Sequence, residues 1–437
     1  MRLKIKNIGK ISNADIEFNG ITVVAGENNT GKSTISKVLY SIFNSNYHSE
    51  EYIAKQKVDR VNWTVFNALR SHSSNSFDHV FRINRNKSFM QFIEKLLSYH
   101  GNDDGLLCEI RNFVTEKTNE TDIRTRKSNV EEIVNTIFAD VKEIQGISNK
   151  AYLTTRINNY FRDLFNEQVI NLKSKEASAS LTIKGETFSI TFNERKCTFD
   201  ANFIFTNKAI FIDSPQAMDV YSSYVTRAPF FDSDPTISPK SNVASLMEEN
   251  LHEVSGDDVV GKTISEQKVD KVMNVISKAV RGYFEDNSGN QGFHFSDGDG
   301  SIYLENLSSG VKSFLIIRKL LENGQINDRD VLILDEPEIN LHPAWQLIFA
   351  ELIIILQKEF NLTVLLSTHS PYFLNALDVY AYKYEIQDKC KFYSVEAIDS
   401  SNSITEDVTN NIDHIYQKLA KPFQDLERET QIKEDDE

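Results

Sequence analysis

The stretch Gly26-Glu27-Asn28-Asn29-Thr30-Gly31-Lys32-Ser33-Thr34 follows the apolar run Ile21-Thr22-Val23-Val24-Ala25 and reads as strand, glycine loop, helix. Gly26 and Gly31 let the backbone curl so that successive N–H groups face one anion. Lys32 is then placed to reach β and γ phosphates, and the Ser33 hydroxyl to ligate magnesium. Behind the loop, Ile35, Val38, Leu39, Ile42 and Phe43 fall at the spacing of an amphipathic helix, so the phosphates would sit on a helix N-terminus. Motif and context agree on a P-loop.

The 437 residues are enough for one large nucleotide-binding domain with an insertion, or for two or three domains. Hydrophobic residues at 40% and charged residues at 25% are ordinary for a soluble chain, and no apolar run approaches the length that spans a bilayer. The start, Met1-Arg2-Leu3-Lys4-Ile5-Lys6, alternates like an edge strand and lacks the apolar stretch of a signal peptide. The expectation is a cytoplasmic protein with no membrane partner. Cys108, Cys197 and Cys390 are far apart and form no CxxC pair, so neither a disulfide framework nor a zinc site is indicated. A net charge of −15 argues against indiscriminate coating of nucleic acid while leaving room for a local basic groove. Part of the acidity sits in the tail, at Glu427, Glu429, Glu434, Asp435, Asp436 and Glu437.

Residues 1–45 read as short strands feeding the P-loop, and 46–176 as an inserted helical block. Within the block, Ser128-Asn129-Val130-Glu131 has the form of a capping box. It precedes an apolar face of Val130, Ile133, Val134, Ile137, Val141 and Ile144, suited to a neighbouring helix or to a partner. Arg124, Arg126 and Lys127 before it form either a solvated loop or a phosphate contact. Residues 177–400 return to strand texture, with hairpins over 180–192 and 293–304, and 401–437 read as a helical, acidic tail. In that tail Ile412, Ile415, Tyr416 and Leu419 form a short apolar face, for packing on the chain itself or for docking an effector.

Three further motifs follow the P-loop. Leu307-Ser308-Ser309-Gly310 opens a helix and offers a hydroxyl and free N–H groups to an anion. Val331-Leu332-Ile333-Leu334-Asp335-Glu336 is an apolar strand ending in two acids. Asp335 is suited to hold magnesium, and Glu336 to orient or deprotonate a water. Two carboxylates at the end of a buried strand are costly without a cation. Leu362 to Leu366 is another buried strand, delivering His369 to the position of a γ-phosphate sensor.

Taken together, Gly26 to Ser33, Leu307 to Gly310, Leu332 to Glu336 and His369 resemble the Walker A, signature, Walker B and switch histidine of the ABC-type ATPase heads of the SMC, Rad50, RecF and OLD group. The resemblance covers about residues 1 to 45 and 180 to 400. It implies an α/β P-loop NTPase fold of the ABC ATPase head type: a mixed sheet flanked by helices, an antiparallel β subdomain and a helical insertion. It also implies ATP and Mg2+ as ligands. Glu336, His369 and Lys32 would then be catalytic, and Ser33 and Asp335 would hold the metal. A head-to-tail homodimer is implied too, in which Ser308, Ser309 and Gly310 of one subunit close over nucleotide on the other. Ser309 departs from the LSGG form of the signature, as in OLD-like proteins. Gln91 and Gln145 are the candidates for a Q-loop glutamine, without distinguishing context, and no adenine-contacting aromatic is assigned.

Glu336-Pro337-Glu338-Ile339-Asn340-Leu341-His342-Pro343 resembles the wording of OLD-like and RecF-like ATPases more than that of transporter subunits. The long heptad coiled coil and Cys-x-x-Cys apex of a Rad50-type protein are missing from the sequence. About 68 residues follow His369, too few for the Toprim domain of an OLD nuclease. The best match is the standalone OLD-like ATPase of bacterial antiphage defence, as in Septu, PARIS and retron-associated systems. There the ATPase acts as a switch for a separate effector chain such as a nuclease; DNA or a phage protein is a further candidate partner, and the trigger is not named by the sequence. The alternative is a RecF-like or SMC-like DNA-binding ATPase of repair or recombination.

Overall fold

The computed structural model describes residues 1–71, 87–120, 127–194, 196–201, 205–224, 237–249, 259–286, 293–296, 300–419 and 421. β1 (Arg2–Ile8) and β2 (Ile11–Glu17) form a hairpin, β3 (Ile21–Ala25) enters the glycine loop and α1 (Lys32–Asn46) leaves it. Next come α2 (Ser49–Ser71), α3 (Lys87–Leu97), α4 (Asp103–Glu120), α5 (Lys127–Gly146) and α6 (Asn149–Leu164). They are followed by β4 (Glu176–Ile183), β5 (Glu186–Asn193), β6 (Lys196–Asp200) and β7 (Ala209–Ile212). α7 (Ala217–Tyr224), α8 (Pro239–Glu248) and α9 (Val259–Ala279) precede β8 (Tyr283–Asp286), β9 (Phe293–Ser296) and β10 (Ser301–Tyr303). The last group is α10 (Ser309–Glu322), β11 (Val331–Asp335), α11 (Pro343–Phe360), β12 (Thr363–Thr368), α12 (Pro371–Lys383), β13 (Cys390–Ala397) and β14 (Ser403–Asp407).

Eleven strands make one mixed sheet in the order β6-β5-β4-β1-β2-β14-β13-β3-β12-β11-β7. The β6 to β2 half is antiparallel, whereas β13, β3, β12, β11 and β7 run parallel. The parallel strands read as continuous apolar runs because both their faces are covered. Their side chains alternate between two cores. Val23, Leu332, Leu334, Val364 and Leu366 face one, with α10, α11 and α12. Val24, Ile333, Leu365 and Phe211 face the other, with α1 and the end of α6. β7 is an edge strand, and its open side is closed by Asn44 of α1. The Asn44 amide donates to Ala209 O (2.9 Å) and its carbonyl accepts from Ala209 N (3.0 Å), as a further strand would.

The chain divides into two units, residues 1–47 with 157–437 and residues 48–156. The second unit has its own core, in which Val61, Val65, Ile93, Ile110, Ile137 and Val141 are fully buried. The apolar face of α5 is spent inside that core, so it packs on neighbouring helices of the unit. The side chains of Ser128 and Asn129, and Arg124 and Arg126, lie outside the described residues. Cys197 and Cys390 are buried, and burial pushes both thiols up to about 12. Among the described residues no helix is long and apolar enough to cross a membrane.

The segment read as a helical, acidic tail also contributes β14, a polar strand between β2 and β13. It forms because both neighbours leave backbone groups to pair. On the β2 side Ser403 N donates to Lys10 O (2.7 Å) and Thr405 Oγ1 accepts from Asp15 N (3.3 Å). On the other side β14 pairs antiparallel with β13, from Tyr393 opposite Asp407 to Ala397 opposite Ser403. Beyond it Ile415 is buried in the first core, and Ile412, Tyr416 and Leu419 pack against it. That apolar face therefore packs on its own chain; Pro422 and the residues after it lie outside the described residues.

Candidate functional site: an ATP site at the strand ends

The parallel strands deliver their chemistry at one end. β3 ends at Ala25, β11 at Asp335 and β12 at Thr368, in a register that sets Asp335 beside Ser367 and Thr368 beside Ala25. The loop after β3 has the backbone its glycines were expected to allow. Gly31 has φ +99° and Asn29 φ +64°, and a Cβ on Gly26 would stand 2.7 Å from Val395 O. Lys32 is 5% exposed. Its ammonium donates to the carbonyls of Gly26 (3.0 Å) and Glu27 (2.9 Å) and lies 3.3 Å from Glu336 Oε1.

Glu336 turns out of β11 at φ +48°, a left-handed conformation that costs a side-chain-bearing residue on the order of 1 kcal/mol. It is held there by Ser367, whose carbonyl accepts from Glu336 N (3.2 Å) and whose hydroxyl donates to Asp335 Oδ1. His369 Nδ1 lies 3.3 Å from Glu336 Oε1. The structure thus brings Lys32, Glu336 and His369 together around one carboxylate oxygen.

A cavity of about 400 Å3 opens beside the loop, lined by Asn29, Gly31, Lys32, Ser33, Thr34 and Glu336 together with Lys10, Asn171 and Leu172. That volume is in the range of small-molecule sites. Asn171 is buried and builds the wall, its amide donating to Gly9 O (2.7 Å) and Ser401 O (2.8 Å). Ser308, Ser309 and Gly310 do not line this cavity. Ser308 is the N-cap of α10, accepting from Val311 N (3.4 Å), and a Cβ on Gly310 would press Asn340 O at 3.0 Å. Gln91 and Gln145 lie in the second unit, where the Gln145 amide donates to Leu96 O (3.0 Å) at the end of α3.

Two residues escaped the sequence reading. Glu338 is 3% exposed and accepts from Thr368 Oγ1 (2.5 Å) and His369 N (3.3 Å), so it fixes the backbone that presents the histidine. Burial pushes its carboxyl up, against the pull of the Thr368 bond. Its only signal was a second acid two residues after Glu336. Asp213 follows β7, one step beyond Ile212, which pairs with Leu334, so it lies level with Asp335 at the end of β11. Burial pushes its carboxyl up, Lys240 pulls it down and Asp335 raises it further. Asp213 Oδ1 is buried without a hydrogen-bond partner. A second acid and an orphaned carboxylate oxygen beside Asp335 suit a divalent cation, so the residues fit Mg2+.

A glycine loop on a helix N-terminus, a buried lysine on that loop and acids at the ends of adjacent parallel strands define a P-loop ATPase. The chain belongs to the AAA ATPase domain family (AAA_15), whose profile matches residues 1–374. Solved structures it is similar to include the SMC head domain from Thermotoga maritima, at 10% identity and a TM-score of 0.38 over 93% of this chain and 98% of that one. An Smc head bound to the C-winged helix domain of ScpA matches at 12% identity and a TM-score of 0.42, over 93% and 97%. An Smc head with an extended coiled coil from Pyrococcus furiosus, bound to the C-terminal domain of ScpA, matches at 12% and 0.38, over 98% of both chains.

Proposed function

We propose that this chain is the ATP-driven switch subunit of a bacterial antiphage defence system, closing head to tail around ATP and controlling a separate effector chain, a nuclease. The observation that carries the ATPase part is the meeting of Lys32, Glu336 and His369. Lys32 is compensated from within its own site, by two loop carbonyls and Glu336. A phosphate entering the loop competes for that ammonium. Glu336 is then released from the lysine and faces water with His369 beside it, so the base is armed when the loop fills. Ser33 and Asp335 would hold Mg2+, with Asp213 behind them, and the ion would neutralise phosphate charge. Ser308 and Gly310 of a second subunit would close the site, which makes occupancy of the loop report on association.

The OLD-like reading rests on the wording from Glu336 to Pro343. Its test has two arms. Lys32→Ala should abolish nucleotide binding, whereas Glu336→Gln should bind ATP, hold the closed dimer and hydrolyse about 100-fold or more slowly. Hydrolysis by Glu336→Gln at the parental rate would remove Glu336 as the base. For the switch, the untagged protein encoded beside this chain should co-purify and lose or gain activity with ATP. Stimulation of hydrolysis by DNA alone, with no such partner, would move the assignment to a RecF-like repair ATPase.

A further inference from the structure

The stretch Leu307-Ser308-Ser309-Gly310 is built over a buried lysine. Lys312, in the first turn of α10, is 6% exposed. Its ammonium donates to Asp219 Oδ1 of α7 (2.6 Å) and to Glu305 O (3.0 Å). A cation in the first turn opposes the helix dipole, and burial adds a desolvation cost, so Lys312 is tolerable there only because both partners are close. What the bonds hold is the backbone between them. Glu305 lies just before Leu307 and Lys312 just after Gly310, so the bond from one to the other closes the turn that carries Ser308. Ser222 of α7 holds the same turn, its hydroxyl donating to Glu305 Oε1. Gly310 in turn packs on the loop after β11, where a Cβ would meet Asn340 O at 3.0 Å and Leu341 Cδ2 at 3.2 Å.

Ser308 is itself exposed, as a group offered to another chain must be, yet its place is set by these buried bonds. α7 supplies both side chains that reach the turn, and it starts at Ala217, shortly after Asp213. The surface presented to a partner is thus anchored on the helix that leaves the metal end of β7. We propose that Lys312 is a positioning residue for hydrolysis in the other subunit: paired with Asp219, it holds Ser308 and Gly310 in the form that closes over nucleotide on the partner's loop. Lys312 does not line the cavity beside the glycine loop, so the loop of its own subunit should bind ATP without it. The role rests on the head-to-tail closure proposed for this chain, and it puts Lys312 on the opposite half of the shared site from Lys32.

The test mixes full chains, with mixed dimers shown to form, and reads ATP hydrolysis. Lys312→Met keeps the stem and removes the charge. It should bind a fluorescent ATP analogue as the parent does but hydrolyse ATP about 10-fold or more slowly. Mixed with an equal amount of Lys32→Ala it should recover about a quarter of the parental rate, because the mixed dimer pairs the intact loop of one chain with the intact signature of the other. Mixed with Ser308→Arg it should recover nothing, since both chains then lack a working signature. A merely structural role would not separate those two mixtures. Asp219→Asn, at a half-buried position, should give the same pattern and carries the test if Lys312→Met does not fold by circular dichroism. Hydrolysis at the parental rate, no rescue by Lys32→Ala, or rescue by Ser308→Arg overturns the proposal. Mixing Lys32→Ala with Ser308→Arg separates this failure from that of head-to-tail closure. Rescue there without rescue of Lys312→Met sinks the role of Lys312 alone, and no rescue there sinks both.

Discussion

Replacing Glu351 by glutamine should cost the first unit about 3 kcal/mol at neutral pH, and the magnitude follows from its surroundings. Glu351 sits in α11, 4% exposed. Its Oε1 accepts from Lys383 Nζ (2.9 Å) and Tyr384 OH (2.6 Å), and its Oε2 from Lys278 Nζ (2.6 Å). Burial pushes the carboxyl up, but the bonds from Lys278, Tyr384 and Lys383 outweigh burial and hold it at about 2, against an ordinary 4.5. That gap, at about 1.4 kcal/mol per pH unit, amounts to about 3 kcal/mol. Because the folded value is the lower one, the contribution is complete above about pH 4.5 and is lost as pH falls towards 2. The chain has two tryptophans, and Trp345 lies on α11 itself, edge-on to Phe314 at 5.9 Å. Urea unfolding followed by Trp345 fluorescence in a Trp63→Phe background therefore reads this unit. Glu351→Gln should lower the midpoint at pH 7, and the difference from the parent should shrink steadily below pH 4.5. An unchanged midpoint at pH 7, or a difference that persists undiminished at pH 3, would refute the reasoning.

Three other substitutions probe separate parts of the account. Glu338→Ala removes the carboxylate that accepts from Thr368 and His369, and should reduce kcat about 10-fold or more with little change in ATP affinity, measured by steady-state kinetics. Asn44→Leu leaves the N–H and C=O of Ala209 unpaired on the edge of the sheet and should destabilise the first unit by about 1–3 kcal/mol in the same urea assay. Gly31→Ala places a Cβ 2.9 Å from Ile11 at a positive φ, and should abolish binding of a fluorescent ATP analogue while circular dichroism shows the chain still folded.

Much of the site was readable because its parts are local. A glycine loop, a strand end with two acids and a strand end with a histidine are each a few residues long, and the parallel register that joins them follows from apolar runs covered on both faces. What stayed hidden was set by distant neighbours. Nothing local marks Asp213 as special, since its meaning comes from β7 lying beside β11. Glu338 matters through a strand about thirty residues further on. β14 is polar and short, and becomes a strand only because β2 and β13 leave backbone groups open on either side of it.

The central claim, that the glycine loop is half of a shared site, is tested most directly by mixing two inactive chains. Lys32→Ala spoils the loop of its own subunit, and Ser308→Arg spoils the surface offered to the partner. A mixed dimer keeps one intact composite site of its two, so an equimolar mixture should recover about a quarter of the parental ATP hydrolysis. Hydrolysis no higher than the sum of the two inactive proteins, with mixed dimers shown to form, would contradict it.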